Sequence, residues 1–373
     1  MTPEKAMARA LQLARSGWYT TRPNPRVGCV LVKRHQKIGE GAHRFAGEPH
    51  AEVLALQQAG EAAQGAEAFV TLEPCSHFGR TPPCADALIA AGVRKVWMAM
   101  LDPNPQVAGQ GQARLQAAGI STHVGLMQSE AQALNAGFIQ RMLTGRPRLR
   151  SKLAMSLDGR TALANGRSQW ITGEAARADV QRLRAESGAI ITGVDSLLAD
   201  GARLNVRDPR YTGIKNFPHP CKVIVDGRLR APLNAPCYTT SGQTVLVCRE
   251  SAALANPEKL AQLQIQGVEV WIQTGEGVQV DLVDLMQRLG QVGCNDVLLE
   301  AGPRLNGAFL QAGLIDQLLI YMAPKLLGDQ ARGLFALPSL QSLTDAVEYR
   351  LEEMRAVGTD WRLTLTPQPS HPL

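Results

Sequence analysis

Short apolar runs alternate with helix-like segments over the first part of the chain. Residues 27–32, 69–72 and 94–100 are apolar runs of the kind that form buried strands. Residues 6–16 repeat apolar positions at helical spacing, behind Thr2-Pro3-Glu4 as a cap and first turn. Because strands and helices alternate, we expect a layered α/β domain.

A break in the pattern follows this region. A last helix near residues 129–143 ends at Thr144-Gly145-Arg146-Pro147, and a glycine followed closely by proline stops helices. We therefore expect a linker here, and we predict two domains, residues 1–145 and residues 146–373.

The pattern then starts again. A helix over residues 174–186 carries apolar side chains on one face, and residues 361–365 alternate as an edge or antiparallel strand should. The chain ends in strands without a crossover helix, so we expect a mixed sheet and not a purely parallel one. Asp158-Gly159 is a turn signal. The other predicted strands cover residues 150–159, 189–194, 222–227, 244–247, 268–272, 296–300 and 317–324.

Composition narrows the class of protein. A chain of 373 residues with 45% hydrophobic residues is typical of a globular protein with two cores. The net charge of +6 is spread without a polybasic run, so phosphorylated small molecules explain it as well as nucleic acid does. Seven cysteines, an odd number, favour free thiols in a reducing compartment. Without an apolar leader or a membrane-length apolar stretch, we expect a cytoplasmic protein that does not contact a membrane.

A metal site is predicted by one histidine and two cysteines. His50, Cys75 and Cys84 can hold a zinc ion and leave its fourth tetrahedral position to water, which is the layout of a catalytic site. Pro49 predicts a helix start, so His50 and Glu52 can both face the metal from the first turn. Cys84 opens a helix, where a thiol has a lowered pKa. The bound water ionises near neutrality, and the hydroxide can attack an amine-bearing ring carbon while Glu52 carries the protons.

The spacing of the two cysteines departs from the usual zinc-deaminase pattern. Eight residues separate Cys75 from Cys84, whereas the Pro-Cys-x-x-Cys motif is much shorter. Within this insertion His77 and Arg80 could hydrogen-bond a substrate ring or phosphate, or they could belong to an ordered loop that satisfies its own backbone. A structural zinc site is the alternative for the cysteines. The carboxylate beside the histidine favours the catalytic site.

The stretch Pro74-Cys75-Ser76-His77-Phe78-Gly79-Arg80-Thr81-Pro82-Pro83-Cys84 resembles the hallmark of the bifunctional riboflavin-biosynthesis deaminase/reductase family, and the similarity runs through the whole chain. The resemblance implies an N-terminal, three-layer domain like cytidine deaminase and a C-terminal domain like dihydrofolate reductase. It implies Zn²⁺ and NADPH as cofactors. The implied reactions are removal of the 2-amino group from 2,5-diamino-6-(5-phosphoribosylamino)pyrimidin-4(3H)-one and NADPH reduction of the ribosyl side chain of 5-amino-6-(5-phosphoribosylamino)uracil to ribityl.

The resemblance also implies site residues. Asn24 would line the deaminase pocket, although a turn asparagine that bonds its own backbone is the alternative. His43 is expected to lie outside the metal ligands. In the second domain the implied substrate contacts are Lys152, Ser168, Arg184 and Glu300, and the implied cofactor contacts are Ala154, Trp170 and the turn Gly302, Pro303, Arg304, Leu305, Asn306 and Gly307.

Several of these positions have plainer interpretations. A tryptophan such as Trp170 is more often part of a core, Arg184 lies on a helix face that is usually solvated, and Gly302 could be a packing glycine. Local chemistry adds further candidates because ligands collect at the carboxyl ends of strands, and arginine can bind phosphate with two hydrogen bonds. These candidates are Ser196, Asp200 and Gly227 for the cofactor and Leu204 and Arg207 for the substrate.

The sequence therefore predicts a two-step enzyme whose substrate is a phosphoribosylamino-pyrimidine. Lys152, Asp200 and Glu300 would orient the sugar, and which of them relays a proton stays open. The alternative is a zinc deaminase that edits nucleic acid, with a docking C-terminal domain. The lack of a basic cluster interleaved with aromatics counts against nucleic acid as a partner. A cytidine-type deaminase joined to a reductase of other specificity is a further alternative. The oligomeric state is open, and a homo-oligomer is compatible with the sequence.

Overall fold

The structure is a computed structural model that describes residues 1–76, 83–105, 107–275 and 277–368. The chain divides into two compact units, Met1–Arg146 and Pro147–Leu373. Each unit has its own sheet and its own hydrophobic clusters. Among the described residues, no helix is both long enough and apolar enough to cross a membrane.

The first unit is a sheet with helices on both faces. Its strands are β1 (Gly28–Lys33), β2 (Gln36–Ala42), β3 (Glu67–Val70), β4 (Lys95–Met98) and β5 (Ser121–Val124). Its helices are α1 (Pro3–Ala14), α2 (Ala51–Ala59), α3 (Cys84–Ala90), α4 (Gln110–Ala117), α5 (Gln128–Leu134) and α6 (Ala136–Thr144). The strand order is β2-β1-β3-β4-β5, in which β1 is antiparallel to both neighbours and β3, β4 and β5 are parallel.

Alternation along β1 explains the three layers. Cys29 and Leu31 pack in one apolar cluster with α2, α3 and α4, whereas Val30 and Val32 pack in another with α1 and α5. Successive side chains of a strand point to opposite faces, so a fully apolar strand serves two helix layers at once. Gly28 lets α1 approach closely, because a Cβ there would lie 2.0 Å from the backbone oxygen of Ala10.

The predicted helices were partly right. Helix α1 begins after Thr2, whose side chain caps the backbone N–H of Lys5, as expected. The single helix near residues 129–143 was wrong, since Asn135 divides it into α5 and α6. Asn135 is buried, and its side-chain amide both accepts from and donates to the backbone of Arg26, at 2.9 Å each. This tertiary contact accounts for the break.

The second unit is larger. Its strands are β6 (Arg148–Ser156), β7 (Arg160–Ala162), β8 (Ala189–Gly193), β9 (Cys221–Val225), β10 (Thr244–Arg249), β11 (Val268–Gln273), β12 (Asp296–Leu299), β13 (Gln317–Ala323), β14 (Arg332–Gly333), β15 (Tyr349–Val357) and β16 (Asp360–Pro367). Its helices are α7 (Glu174–Glu186), α8 (Val194–Asp200), α9 (Pro209–Thr212), α10 (Glu250–Ala255), α11 (Pro257–Ile265), α12 (Leu282–Gln291) and α13 (Pro303–Gln311).

The large sheet is mixed, as predicted. Its order is β11-β10-β9-β8-β12-β6-β13-β16-β15, in which the strands from β11 to β13 are parallel, β16 is antiparallel to β13, and β15 is antiparallel to β16. Strand β16 is antiparallel as expected, but the edge strand of the sheet is β15, which pairs with β16. Helix α7 has the predicted bounds.

Five of the described strands, β2, β5, β7, β14 and β15, have no counterpart in the predicted pattern, and β2 and β15 are the longest of them. In β2 the face toward α2 is made of Gly39 and Gly41, where a Cβ would lie 2.3 Å from the Ala55 oxygen and 2.2 Å from the Ala51 oxygen. Strand β15 is exposed along nearly its whole length. Neither strand therefore shows the apolar alternation that identifies a strand in a sequence.

Candidate active sites

The start of α2 presents the histidine and the glutamate. His50 is the N-terminal cap residue in an extended conformation, and Glu52 is the second residue of the helix. Glu52 is only 3% exposed, and its Oε2 atom has no hydrogen-bond partner among the described residues. A buried carboxylate oxygen without a partner is costly unless a ligand satisfies it. This arrangement fits a group that exchanges protons with a bound ligand.

Two cysteines complete the group. Cys75 follows β3, and Cys84 is the first residue of α3, as predicted. His50 Nδ1 lies 3.2 Å from Cys84 Sγ and 3.7 Å from Cys75 Sγ, and all three ligand atoms lie within 4.8 Å of one another. One nitrogen and two sulfurs at this spacing fit the donor set of zinc. Within the described residues this group has three members, so the donor set leaves a tetrahedral position for water or substrate.

The pKa values of Glu52, Cys75 and Cys84 are shifted in different directions by their surroundings. Burial, with Cys75 adding to it, raises the pKa of Glu52 to about 7. The lowered pKa that was expected for Cys84 is found at Cys75 instead, because the thiol and backbone N–H of Cys84 both hydrogen-bond to the Cys75 sulfur. The pKa of Cys84 is raised, first by this shared hydrogen bond and then by burial. The two thiols share a hydrogen bond, so the lowered pKa belongs to the pair of cysteines and not to the helix terminus of Cys84 alone.

Asn24 and His43 lie beside the metal-ligand group. Asn24 Nδ2 is 3.1 Å from His43 Nε2, and His43 Nδ1 is 3.4 Å from the Pro49 oxygen. The Asn24 side chain therefore contacts a histidine next to the site, and His43 is outside the three-member group as expected. His77 and Arg80 lie outside the described residues.

Glu73 is a residue that the sequence reasoning missed. Its buried carboxylate accepts hydrogen bonds of 3.0 Å from the backbone N–H groups of Asp102, Gly109 and Gln112. It therefore ties the loop after β4 to the segment that carries Cys75. An acidic residue directly after a buried strand run was the available signal.

In the second unit, strand register brings the predicted substrate residues together. Leu299 pairs with Ser151, which places Glu300 beside Lys152 on the neighbouring strand. Arg184 reaches Glu300 from α7 with two hydrogen bonds, Nε to Oε1 at 2.6 Å and Nη2 to Oε2 at 2.9 Å. The solvated interpretation of Arg184 was wrong, because only 13% of its side chain is exposed.

Charge explains what this cluster can bind. Burial alone would raise the pKa of Glu300, but Arg184, Lys152 and Arg207 together hold it below its ordinary value. Burial lowers the pKa of Lys152. Arg184 also donates to the Asn205 oxygen at 2.9 Å, next to buried Leu204. Three cations around one carboxylate leave a positive excess, which suits an anionic ligand.

The predicted cofactor residues lie largely at the carboxyl edge of the parallel strands, where open α/β sheets bind ligands. Ser196 follows β8, Gly227 follows β9 and Gly302 follows β12. A Cβ on Gly302 would lie 3.8 Å from Ser196 Oγ, so these two residues are neighbours. Asp200 is exposed at the end of α8.

The residues of the turn at 302–307 have two different roles. Arg304 is exposed, and its Nη1 lies 3.7 Å from Asp195 Oδ2. Asn306 is fully buried, accepts from Ser151 Oγ at 2.7 Å and donates to the Ala301 oxygen at 2.7 Å. A Cβ on Gly307 would lie 2.2 Å from the Ala336 oxygen. The Asn306 side chain and Gly307 therefore serve the turn and its packing, while Gly302, Pro303, Arg304 and Leu305 form the opening of α13.

The remaining predicted residues surround the end of β6. Ala154 pairs with Tyr321 and is half-buried, as is Ser168. Trp170 is 62% exposed, and the centre of its ring lies 4.7 Å from the Arg177 guanidinium carbon. The interpretation of Trp170 as a core residue was wrong.

Comparison with known proteins extends these observations. The model of the RibD C-terminal domain matches residues 147–363, and that of the cytidine and deoxycytidylate deaminase zinc-binding region matches residues 1–100. The riboflavin biosynthesis protein RibD of Escherichia coli K12 is 51% identical, over 96% of this chain and 98% of its own, and that of Haemophilus influenzae is 48% identical over 97% and 96%.

Solved structures agree with both halves of the fold. Acinetobacter baumannii RibD, form 1, has a TM-score of 0.89 and 45% identity, and covers 98% of this chain and 99% of its own. A deaminase/reductase from Thermotoga maritima, described as a diaminohydroxyphosphoribosylaminopyrimidine deaminase and 5-amino-6-(5-phosphoribosylamino)uracil reductase, has a TM-score of 0.84, 28% identity and the same coverage.

A three-layer unit with a His-Cys-Cys group and a buried glutamate, followed by a mixed-sheet unit of the dihydrofolate-reductase type, defines a zinc-dependent deaminase joined to an NADPH-dependent reductase. The chain belongs to the RibD family of riboflavin biosynthesis proteins. It is a bifunctional enzyme of riboflavin biosynthesis. The nucleic-acid-editing alternative is not favoured.

Proposed function

We propose that the first unit removes the 2-amino group from 2,5-diamino-6-(5-phosphoribosylamino)pyrimidin-4(3H)-one and that the second reduces the ribosyl side chain of 5-amino-6-(5-phosphoribosylamino)uracil to ribityl. We assign these steps to the domains predicted at residues 1–145 and 146–373. The observation that carries the proposal is the three-donor group of His50, Cys75 and Cys84 beside buried Glu52. The names of the close relatives support this choice of substrates.

In the deaminase unit, His50, Cys75 and Cys84 would hold Zn²⁺. When bound, the ion supplies a Lewis acid that makes a water molecule acidic enough to react near neutrality. Glu52 would take a proton from the attacking water and deliver it to the departing amino group, so that the ring carbon gains the oxygen and the amino group leaves as ammonia. Asn24 and His77 would contact the substrate, and His43 orients Asn24 through their 3.1 Å contact.

In the reductase unit, Lys152, Asp200 and Glu300 would orient the sugar and Arg207 would bind its phosphate, with Ser168, Arg184 and Leu204 as further substrate contacts. NADPH would supply a hydride to the sugar carbon, and a proton from solvent or from a neighbouring side chain would complete the two-electron reduction. Lys152 would orient the open sugar. The proposed cofactor contacts are Ala154, Trp170, Ser196, Asp200, Gly227 and the opening of α13 at Gly302, Pro303, Arg304 and Leu305, which Asn306 and Gly307 hold in place.

We further propose a homo-oligomer in the cytoplasm. The outer edge of the large sheet is β15, whose Leu351 and Met354 are about half exposed, together with Trp361 of β16. An exposed edge strand with apolar side chains is a surface that pairs readily with another chain. The seven cysteines all lie in described residues and are free, which supports a reducing compartment.

The experiment that tests the proposal is Glu52→Gln. This change keeps the shape of the side chain but removes the proton carrier, so ammonia release should fall by about a hundredfold or more. Zinc content should remain unchanged, and NADPH oxidation with the deaminated substrate should persist. Ammonia release at the wild-type rate would refute the role of Glu52. Preference for cytidine over the phosphoribosyl substrate in a competition assay would refute the proposed substrate.

A further inference from the structure

Residues 168–173 form an irregular segment that carries two proposed site residues, Ser168 and Trp170. Because Trp170 is 62% exposed, burial in a core does not fix its position. The segment must instead be held by specific contacts. Three elements of the second unit supply such contacts.

The first anchor is Lys325, which follows β13. Its ammonium donates to the backbone oxygens of Trp170 at 3.1 Å and Ile171 at 2.8 Å. The backbone of Lys325 is fixed in turn, since its oxygen accepts from the Leu157 N–H at 2.7 Å. A positive charge is thus held against two carbonyl groups next to the tryptophan.

Asp158 fixes the loop that carries Lys325. Its carboxylate accepts from the backbone N–H groups of Leu327 at 3.1 Å and Gly328 at 2.8 Å, and from the Ser156 hydroxyl. The Asp158-Gly159 pair is therefore more than the turn that its sequence indicates. It joins the end of β6 to the loop after β13.

The second and third anchors are Arg177 and Asp360. Arg177 of α7 donates to the Thr172 oxygen at 2.8 Å, and its guanidinium carbon lies 4.7 Å from the centre of the Trp170 ring. Asp360 is buried at the start of β16, and its Oδ2 accepts from the Gly173 N–H at 2.7 Å. The segment is therefore held along its length by side chains from three elements.

We propose that Lys325, Arg177 and Asp360 are positioning residues that hold the 168–173 segment in the conformation that binds NADPH. The inference rests on the proposed function of the reductase unit, in which Trp170 contacts the cofactor. A segment that is already ordered loses less conformational entropy on binding than one that must be ordered by the ligand. The anchors therefore increase affinity without touching the cofactor.

The test compares Lys325→Met with wild type and with Lys325→Arg. The methionine variant removes the donor while keeping a long side chain, and its dissociation constant for NADPH should rise about three- to tenfold, as expected for one or two hydrogen bonds. The KM for NADPH should rise with it, and kcat at saturating NADPH should change less than about twofold. Lys325→Arg should recover most of the affinity, because arginine can also donate to the two carbonyl groups.

Lys33→Met is the matched control. Lys33 also donates its ammonium to a backbone oxygen, that of Ala62 at 3.2 Å, but in the first unit. This variant should bind NADPH as wild type does. Ammonia release should be unaffected by Lys325→Met, since Lys325 lies in the other unit.

A double-mutant cycle separates positioning from general stability. In a Trp170→Ala background, Lys325→Met should add little further loss of NADPH affinity, because both changes remove the same interaction. Full additivity of the two losses, or wild-type affinity in Lys325→Met, would overturn the inference. If Lys325→Met does not fold, Arg177→Gln removes a different anchor and takes its place in the test. The same losses of NADPH affinity are then expected, and the same results would overturn the inference. Failure of the wild-type protein to bind NADPH would instead refute the proposed function.

Discussion

Replacing Glu300 by glutamine probes the buried ion pair of the reductase unit. Arg184 and Glu300 are joined by two hydrogen bonds of 2.6 and 2.9 Å, and their side chains are 13% and 12% exposed. Breaking a buried pair by removing one partner costs about 3–5 kcal/mol. Because glutamine keeps one oxygen that can accept from Arg184, we expect a loss of about 2–3 kcal/mol in the free energy of unfolding.

Glu352→Gln is the matched control. Arg350 and Glu352 are also 2.6 Å apart, but their side chains are 71% and 36% exposed. Exposed ion pairs contribute little because water screens them, so this variant should unfold almost as the wild type does. The two substitutions thus remove the same charge at the same distance and differ in burial.

Thermal unfolding followed by circular dichroism measures both variants. For a unit of this size, 1 kcal/mol corresponds to about 2–4 °C, so Glu300→Gln should lower the midpoint by about 4–12 °C, whereas Glu352→Gln should leave it nearly unchanged. The reductase kcat/KM should fall only in Glu300→Gln, because this variant leaves Lys152 and Arg184 without the carboxylate of Glu300. Equal shifts of the two midpoints would refute the argument from burial.

Three further predictions concern charge, metal and packing. The pKa of Glu300 is held below its ordinary value of 4.5, so the ionised Glu300 stabilises the folded protein above about pH 4.5, and this stabilisation is lost at lower pH. The difference in the free energy of unfolding between wild type and Glu300→Gln should therefore shrink as the pH falls below that value. Cys84→Ser should lower bound zinc in elemental analysis, and a fully metallated variant would remove Cys84 from the ligands. Gly307→Ala should destabilise by about 1–3 kcal/mol in denaturant unfolding, since its Cβ would clash with the Ala336 oxygen, whereas Gly333→Ala, where a Cβ has open space, should be nearly neutral. Equal effects of the two glycine variants would contradict the packing argument.

Local sequence determined much of the zinc site. His50 and Glu52 are separated by one residue at a helix start, so the chain itself places them together once the helix forms. Cys84 is likewise fixed to the first turn of α3. The spacing of these residues is enough to predict the donor set, because each depends on one short element.

Other features depended on partners far away in the chain. Asn135 breaks a predicted helix because its amide bonds the backbone of Arg26. Glu73 joins loops through three backbone N–H groups that no local pattern reveals. Long-range hydrogen bonds outweigh weak helix and strand preferences at such positions.

By itself the sequence determined the two α/β halves, the bounds of α7, the mixed sheet and the candidate zinc donors, since periodicity and short spacing encode them. Only the tertiary structure decided that Arg184 pairs with Glu300 and that Trp170 is exposed rather than buried. It also decided that Lys325 lies against the segment of Trp170. These contacts join residues that are more than a hundred positions apart, and strand order and register bring such residues together where periodicity within one element cannot.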